Sequence, residues 1–171
     1  MISDKVYELL NRQITKELFS AYIYLDISNY YSDEGLEGFE NWFYIQAQEE
    51  MDHAMLIRRF LLNNSKKVKL LPVEAPNKVF NDFMEPLKIS LQHEKSITAS
   101  LTKIYSEANQ ENDFLTMEFL NWFIKEQSEE EKNSNDLIKK YELFGKDSQG
   151  LYQLDQELKT RAYTAPSLVL E

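Results

Sequence analysis

The chain has 171 residues, no cysteine and a formal net charge of −10. That length can bury a core without covalent staples. The lack of cysteine excludes disulfides, thiolate metal sites and iron–sulfur clusters, and suits a reducing compartment such as the cytoplasm. The negative charge disfavours nucleic acid and anionic membranes as partners and favours cations. No apolar run approaches the roughly 18 residues of a membrane span, and Asp4, Lys5 and Glu8 argue against a leader peptide.

Four glycines and four prolines punctuate the chain. Between them the spacing predicts four long helices and one short one. The first runs over about residues 4–31 behind Ser3 as N-cap, with Leu10, Ile14, Glu17, Ala21, Tyr24, Ser28 and Tyr31 as its seam. A short turn around 33–38 leads to a second helix ending near Leu62. Its seam is Phe39, Phe43, Gln46, Glu50, His53, Ile57 and Phe60, in alternating steps of four and three. So short a turn makes the two antiparallel.

Residues 63–81 are polar at first, then contain Pro72 and Pro76, and lack helical periodicity. About 18 extended residues reach roughly 60 Å, against about 42 Å for a 28-residue helix. The segment is therefore expected to cross the whole bundle and leave helices two and three parallel. The third helix, about 82–109, carries Leu87, Leu91, Glu94, Thr98, Leu101, Tyr105 and Ala108. The fourth, about 113–144, carries Leu120, Phe123, Gln127, Glu130, Ser134, Leu137, Tyr141 and Phe144. After Gly145 and Gly150, Leu151, Leu154 and Leu158 mark a short fifth helix over about 148–159, and 160–171 is expected to be an extended tail. The fold class is all-α: a four-helix bundle with a long crossover and a short fifth helix, residues 1–171 forming one domain.

Each long helix places acidic residues in its apolar seam near its midpoint: Glu17, then Glu50 with His53, then Glu94, then Glu130 with Gln127. Packed side by side these form one buried layer. Burying an ionised carboxylate costs several kcal/mol unless it is compensated, and neighbouring carboxylates repel by about 4 kcal/mol per pair at roughly 4 Å and an effective dielectric near 20. The layer needs protons or cations. Two divalent ions would balance four glutamates, with neutral His53 adding a nitrogen ligand. Oxygen donors with imidazole and no sulfur suit iron or manganese, and zinc also binds such sets.

One Glu from each of two helices and Glu-x-x-His from the others is the ligand pattern of ferritin-like di-iron bundles. Here Glu50-Met51-Asp52-His53 is one complete motif, and Gln127-Ser128-Glu129-Glu130 replaces the second. At these residues the chain resembles the prokaryotic non-haem ferritins over nearly its whole length. Families with two complete motifs, the bacterioferritins and rubrerythrins, have histidine where this chain has Glu130, and the second family also needs cysteine. Met51 stands beside Glu50 as the haem-ligating methionine does in bacterioferritins, yet the second motif disfavours haem.

The resemblance implies that Glu17 and His53 hold one iron, Glu94 and Glu130 another, and Glu50 bridges them, with Gln127 as a weak or supporting ligand. Tyr24 matches the tyrosine beside the family's centre. Glu49, Glu126 and Glu129, with Glu130 shared, match the third iron site. The implied activity is ferroxidase: Fe(II) is oxidised by dioxygen or peroxide and stored as ferric mineral inside a homo-oligomeric, 24-subunit cytoplasmic shell. Oxidation raises the charge of two irons from +4 to +6, so oxide or hydroxide must accompany the ferric product, which begins the mineral.

Three plainer readings stand beside this one. A lone Glu-x-x-His is ordinarily a solvated pair, His93 reads as an exposed structural residue, and Met51 and Met55 read as packing. A metal-free helical scaffold and a DNA-protecting mini-ferritin with ligands at a subunit interface are the competing functions.

Overall fold

The computed structural model describes residues 2–170. Its helices are α1 (Asp4–Asp33), α2 (Glu37–Asn63), α3 (Met84–Gln110), α4 (Phe114–Phe144) and α5 (Ser148–Leu158), and the described residues contain no strand. The Ser3 hydroxyl accepts from the Val6 N–H, and Asp113 caps α4 by accepting from the Thr116 N–H. α3 begins two residues later than expected because Asp82 stays outside the helix. Its Oδ1 accepts from the Met84 and Glu85 N–H groups at 2.9 and 2.8 Å. The turn between α1 and α2 passes through Gly35 at φ +77°, a left-handed conformation that favours glycine.

The crossover, 64–83, is pinned at both ends of α1. Asn11 pairs with the backbone of Lys69 through two 2.8 Å bonds, and Tyr7 donates to the Lys67 carbonyl at 2.8 Å. At the other end Tyr31 donates to the Phe83 carbonyl at 2.6 Å. The segment thus spans the bundle lengthwise, and α3 runs parallel to α2.

α1 and α2 pack as one antiparallel pair and α3 and α4 as another, with α5 against α2 and α4. The core falls into two apolar halves. One includes Leu10, Ile14, Ile57, Phe60, Leu101, Phe119 and Phe123; the other includes Tyr24, Tyr31, Phe39, Phe43, Leu87 and Leu137. Burying such a side chain contributes about 1.5–3 kcal/mol. Between the halves lie buried Glu17, Glu50, His53, Glu94, Gln127 and Glu130. Carboxylates there oppose folding, so the layer is not an element of stability.

Every expected seam residue of α1 and α2 is buried. In α3 the buried stripe is Leu87, Ser90, Glu94, Ile97, Leu101, Ile104 and Ala108, whereas Leu91, Thr98 and Tyr105 are only partly covered. α3 therefore turns a slightly rotated face inward. In α4, Ser134 and Tyr141 are partly buried, and Phe144 is exposed because the helix there has passed the end of the core.

Residues 161–170 form neither helix nor strand and are fastened to the bundle. They run from α5 back along α2 and α4, through Tyr163 to Asp52 at 2.6 Å and Trp122 to Ser167 at 2.9 Å, and Leu168 and Leu170 pack on the first apolar half.

Candidate metal centre

α1 and α2 bring Glu17, Glu50 and His53 together so that one ligand atom of each lies within 4.8 Å of the others. All three are at least 96% buried. His53 Nδ1 lies 3.5 Å from Glu50 Oε2, the i, i+3 relation of one helix face. Among the described residues this is the one group of three such ligands that meets a metal-holding distance.

The buried oxygens Glu17 Oε2 and Glu50 Oε2 accept no hydrogen bond. Orphaned buried carboxylate oxygens beside an imidazole are a poor apolar core and a suitable cation cradle. The other Glu17 oxygen accepts from Gln13 Nε2 at 2.8 Å, and Gln13 in turn accepts from Ser100 Oγ at 2.6 Å.

Glu94 and Glu130 complete the layer from the other helix pair. Glu94 accepts from the Tyr24 hydroxyl and, at 2.5 Å, from Gln127 Nε2. Glu130 accepts from Gln46 Nε2 at 2.8 Å. Gln13 and Gln46 were not singled out in the sequence as site residues, although each lies four residues before a selected glutamate and hence on the same helix face.

Burial raises all four carboxyls above their ordinary range. In Glu50 it is followed by repulsion from Glu94, Glu17 and Glu130. Burial and then the Glu94 charge push Glu130 up to about 8. Tyr24 is also raised well above its ordinary range, by burial first and then by Glu94, so its phenol stays protonated and donating.

Glu49, Glu126 and Glu129 do not join this group. Glu126 is partly buried and Glu129 exposed, while Glu49 is paired with Arg161 Nη2 at 2.7 Å. His93 corrects the expectation of an exposed residue. It is partly buried, and its Nε2 lies 2.7 Å from Ser20 Oγ, with burial lowering its pKa to about 4. Met51 and Met55 lie at the surface, 41% and 39% exposed, and not in the core.

A bundle of this topology, crossed lengthwise between its second and third helices and carrying a carboxylate layer at mid-height, has the architecture of the ferritin-like class. The family model Ferritin, a ferritin-like domain, matches residues 7–144. The bacterial non-heme ferritin of Campylobacter jejuni is 33% identical over 162 residues, covering 95% of this chain and 97% of the relative. The bacterial non-heme ferritin of a Staphylococcus aureus strain is 35% identical over 163 residues, with 95% and 98% covered. Among solved structures, an open-pore ferritin from Archaeoglobus fulgidus superposes with a TM-score of 0.92 at 40% identity, covering 95% of this chain and all of that one. The chain belongs to the ferritin family.

Proposed function

We propose that this protein stores iron and acts as a ferroxidase, with Fe(II) as its substrate at the buried layer. The observation that carries the reading is the pair of buried carboxylate oxygens that accept no hydrogen bond, Glu17 Oε2 and Glu50 Oε2, within one ligand group with His53. Glu17 and His53 hold one iron, Glu94 and Glu130 the second, and Glu50 lies between them. Two Fe(II) each give up one electron, and dioxygen or peroxide takes both. Gln127, Gln46 and Gln13 fix the carboxylates that receive the metal, and Tyr24 holds a proton at Glu94. The charge of four glutamates matches two ferrous ions and falls short of two ferric ions, which favours departure of the oxidised product. The whole chain acts as one ferritin-like unit.

Storage requires a container, so the chain assembles as a homo-oligomer, in our reading a shell of 24 copies in the cytoplasm. Support for assembly comes from the outer face of α1 and α2. Tyr22, Leu25, Tyr44 and Met51 are exposed there along one groove. A contiguous apolar patch of this kind marks a contact surface. Among the described residues no helix is long and apolar enough to cross a membrane.

Anaerobic Fe(II) titration followed by an air pulse tests the reading. About two Fe(II) bind per chain and oxidise rapidly to soluble ferric product. Glu50→Ala and His53→Ala each abolish the rapid phase while leaving assembly intact. Wild-type initial rates in either variant would remove the centre from these residues.

A further inference from the structure

The residues matching a third iron site do not fit a metal as they stand, because a cation from the chain itself already holds one of them. Arg161 Nη2 donates to Glu49 Oε2 at 2.7 Å and Nη1 donates to the Trp42 carbonyl at 3.2 Å. The guanidinium also lies over the Trp42 ring, 4.2 Å from its centroid. Both partners of the ion pair are mostly buried, with side chains 18% and 20% exposed. This is a built contact with a bound plane, a fixed fork and a shielded charge, unlike the loose surface pairs that contribute little.

The backbone around Arg161 is equally restrained. Asn41 Nδ2 donates to the carbonyls of Leu158 and Arg161 at 3.2 and 3.1 Å. Downstream, Tyr163 is tied to Asp52, Ser167 to Trp122, and Leu168 and Leu170 to the core. The strap is anchored on both sides of the arginine, which fixes the point from which its side chain reaches Glu49 and Trp42.

We propose that Arg161 is a built-in competitor for the third metal, its guanidinium closing the Glu49 position until the strap lifts. A divalent ion at Glu49 would sit beside a fixed positive charge and lose one of its carboxylate oxygens to it. Glu126, Glu129 and the shared Glu130 would be left to hold the ion without Glu49. The resting chain thus binds metal at its central layer and not at Glu49, and the strap makes the third site conditional. This inference deepens the ferroxidase reading and rests on it for the identity of the metal.

Zn(II) is the probe, because it is redox-inert and binds oxygen and imidazole donors. Calorimetric titration should count about two tight Zn(II) per chain for the wild type and about three for Arg161→Gln. The double variant Arg161→Gln/Glu49→Gln should return to the wild-type count. Arg161→Lys, which keeps the charge, should gain less than Arg161→Gln. A wild-type count that already includes a Glu49-dependent ion would overturn the proposal. So would an Arg161→Gln protein that keeps its central metals and gains none. The proposal reads the difference between the two proteins, whereas the ferroxidase reading rests on the wild-type count; absence of tight wild-type sites would defeat that reading separately.

Discussion

Gln127 donates its side-chain amide to Glu94 twice over, at 2.5 Å to Oε2 and at 3.1 Å to the main-chain carbonyl. The Gln127 amide nitrogen is thereby committed to holding the Glu94 carboxylate. Supporting groups of this kind change metal affinity by about 10–100-fold when removed. Gln127→Ala should therefore weaken the metal on the Glu94 side by about that factor while sparing the one at Glu17 and His53. Zn(II) titration would resolve the two steps, and equal weakening of both would mean that Gln127 supports the layer as a whole.

The metal-free protein should lose stability as pH rises. Glu17, Glu50, Glu94 and Glu130 are all raised above their ordinary range, burial being the first cause in each. The folded chain then binds protons that the unfolded chain has released. Stability is full below the unfolded value and falls as pH climbs through the folded one, a window that for Glu130 runs from 4.5 to about 8. Calorimetry of the metal-free protein should show Tm falling across it, Glu130→Gln flattening the upper end, and Zn(II) restoring Tm. A Tm that rises with pH would mean that the carboxylates are stabilised as anions.

Gly38 should invert the usual helix rule. α2 has no side-chain cap of its own at Leu36; instead Asp155 of α5 accepts from the Gly38 and Phe39 N–H groups at 2.8 and 3.1 Å. The two backbones approach so closely that a Cβ on residue 38 would overlap the Asp155 carbonyl. In an exposed helix interior Gly→Ala gains about 1 kcal/mol. Here Gly38→Ala should destabilise and increase hydrogen exchange in α5, and Asp155→Ala should cost about 1–2 kcal/mol as a lost cap. A higher Tm for Gly38→Ala would mean that α5 yields freely.

The mid-helix layer was legible because a glutamate in an apolar stripe stands out at a period of 3.6 residues. Glu17, Glu50, His53, Glu94, Gln127 and Glu130 all fall at buried positions for that reason. The face of α3 was harder to read. Two stripes share Leu87, Glu94, Leu101 and Ala108 and differ only in Leu91, Thr98 and Tyr105 against Ser90, Ile97 and Ile104. Packing against its neighbours, and not periodicity, selects the second. The fastening of 161–170 left no trace in the sequence, because an extended segment held by single side chains has no period. Arg161 therefore could not be matched to Glu49 before the fold placed them together.

The exposed face of α1 and α2 gives the last prediction. Tyr44 is 50% exposed and Leu25 39% exposed, and both line the groove that also holds Met51. Isolated apolar residues on a surface need no explanation, but several along one groove imply a partner, which in a homo-oligomer is a second copy. Leu25→Glu and Tyr44→Glu put a carboxylate into the proposed contact, where it would have to be desolvated. Sedimentation velocity should show the assembly breaking into small species with helical content unchanged, and at least a tenfold weaker association, about 1.4 kcal/mol or more. The central metals should still bind in those small species, because every layer residue comes from one chain. Intact assembly in both variants would move the contact to another face, and loss of metal binding with loss of assembly would mean that the layer forms only within the shell.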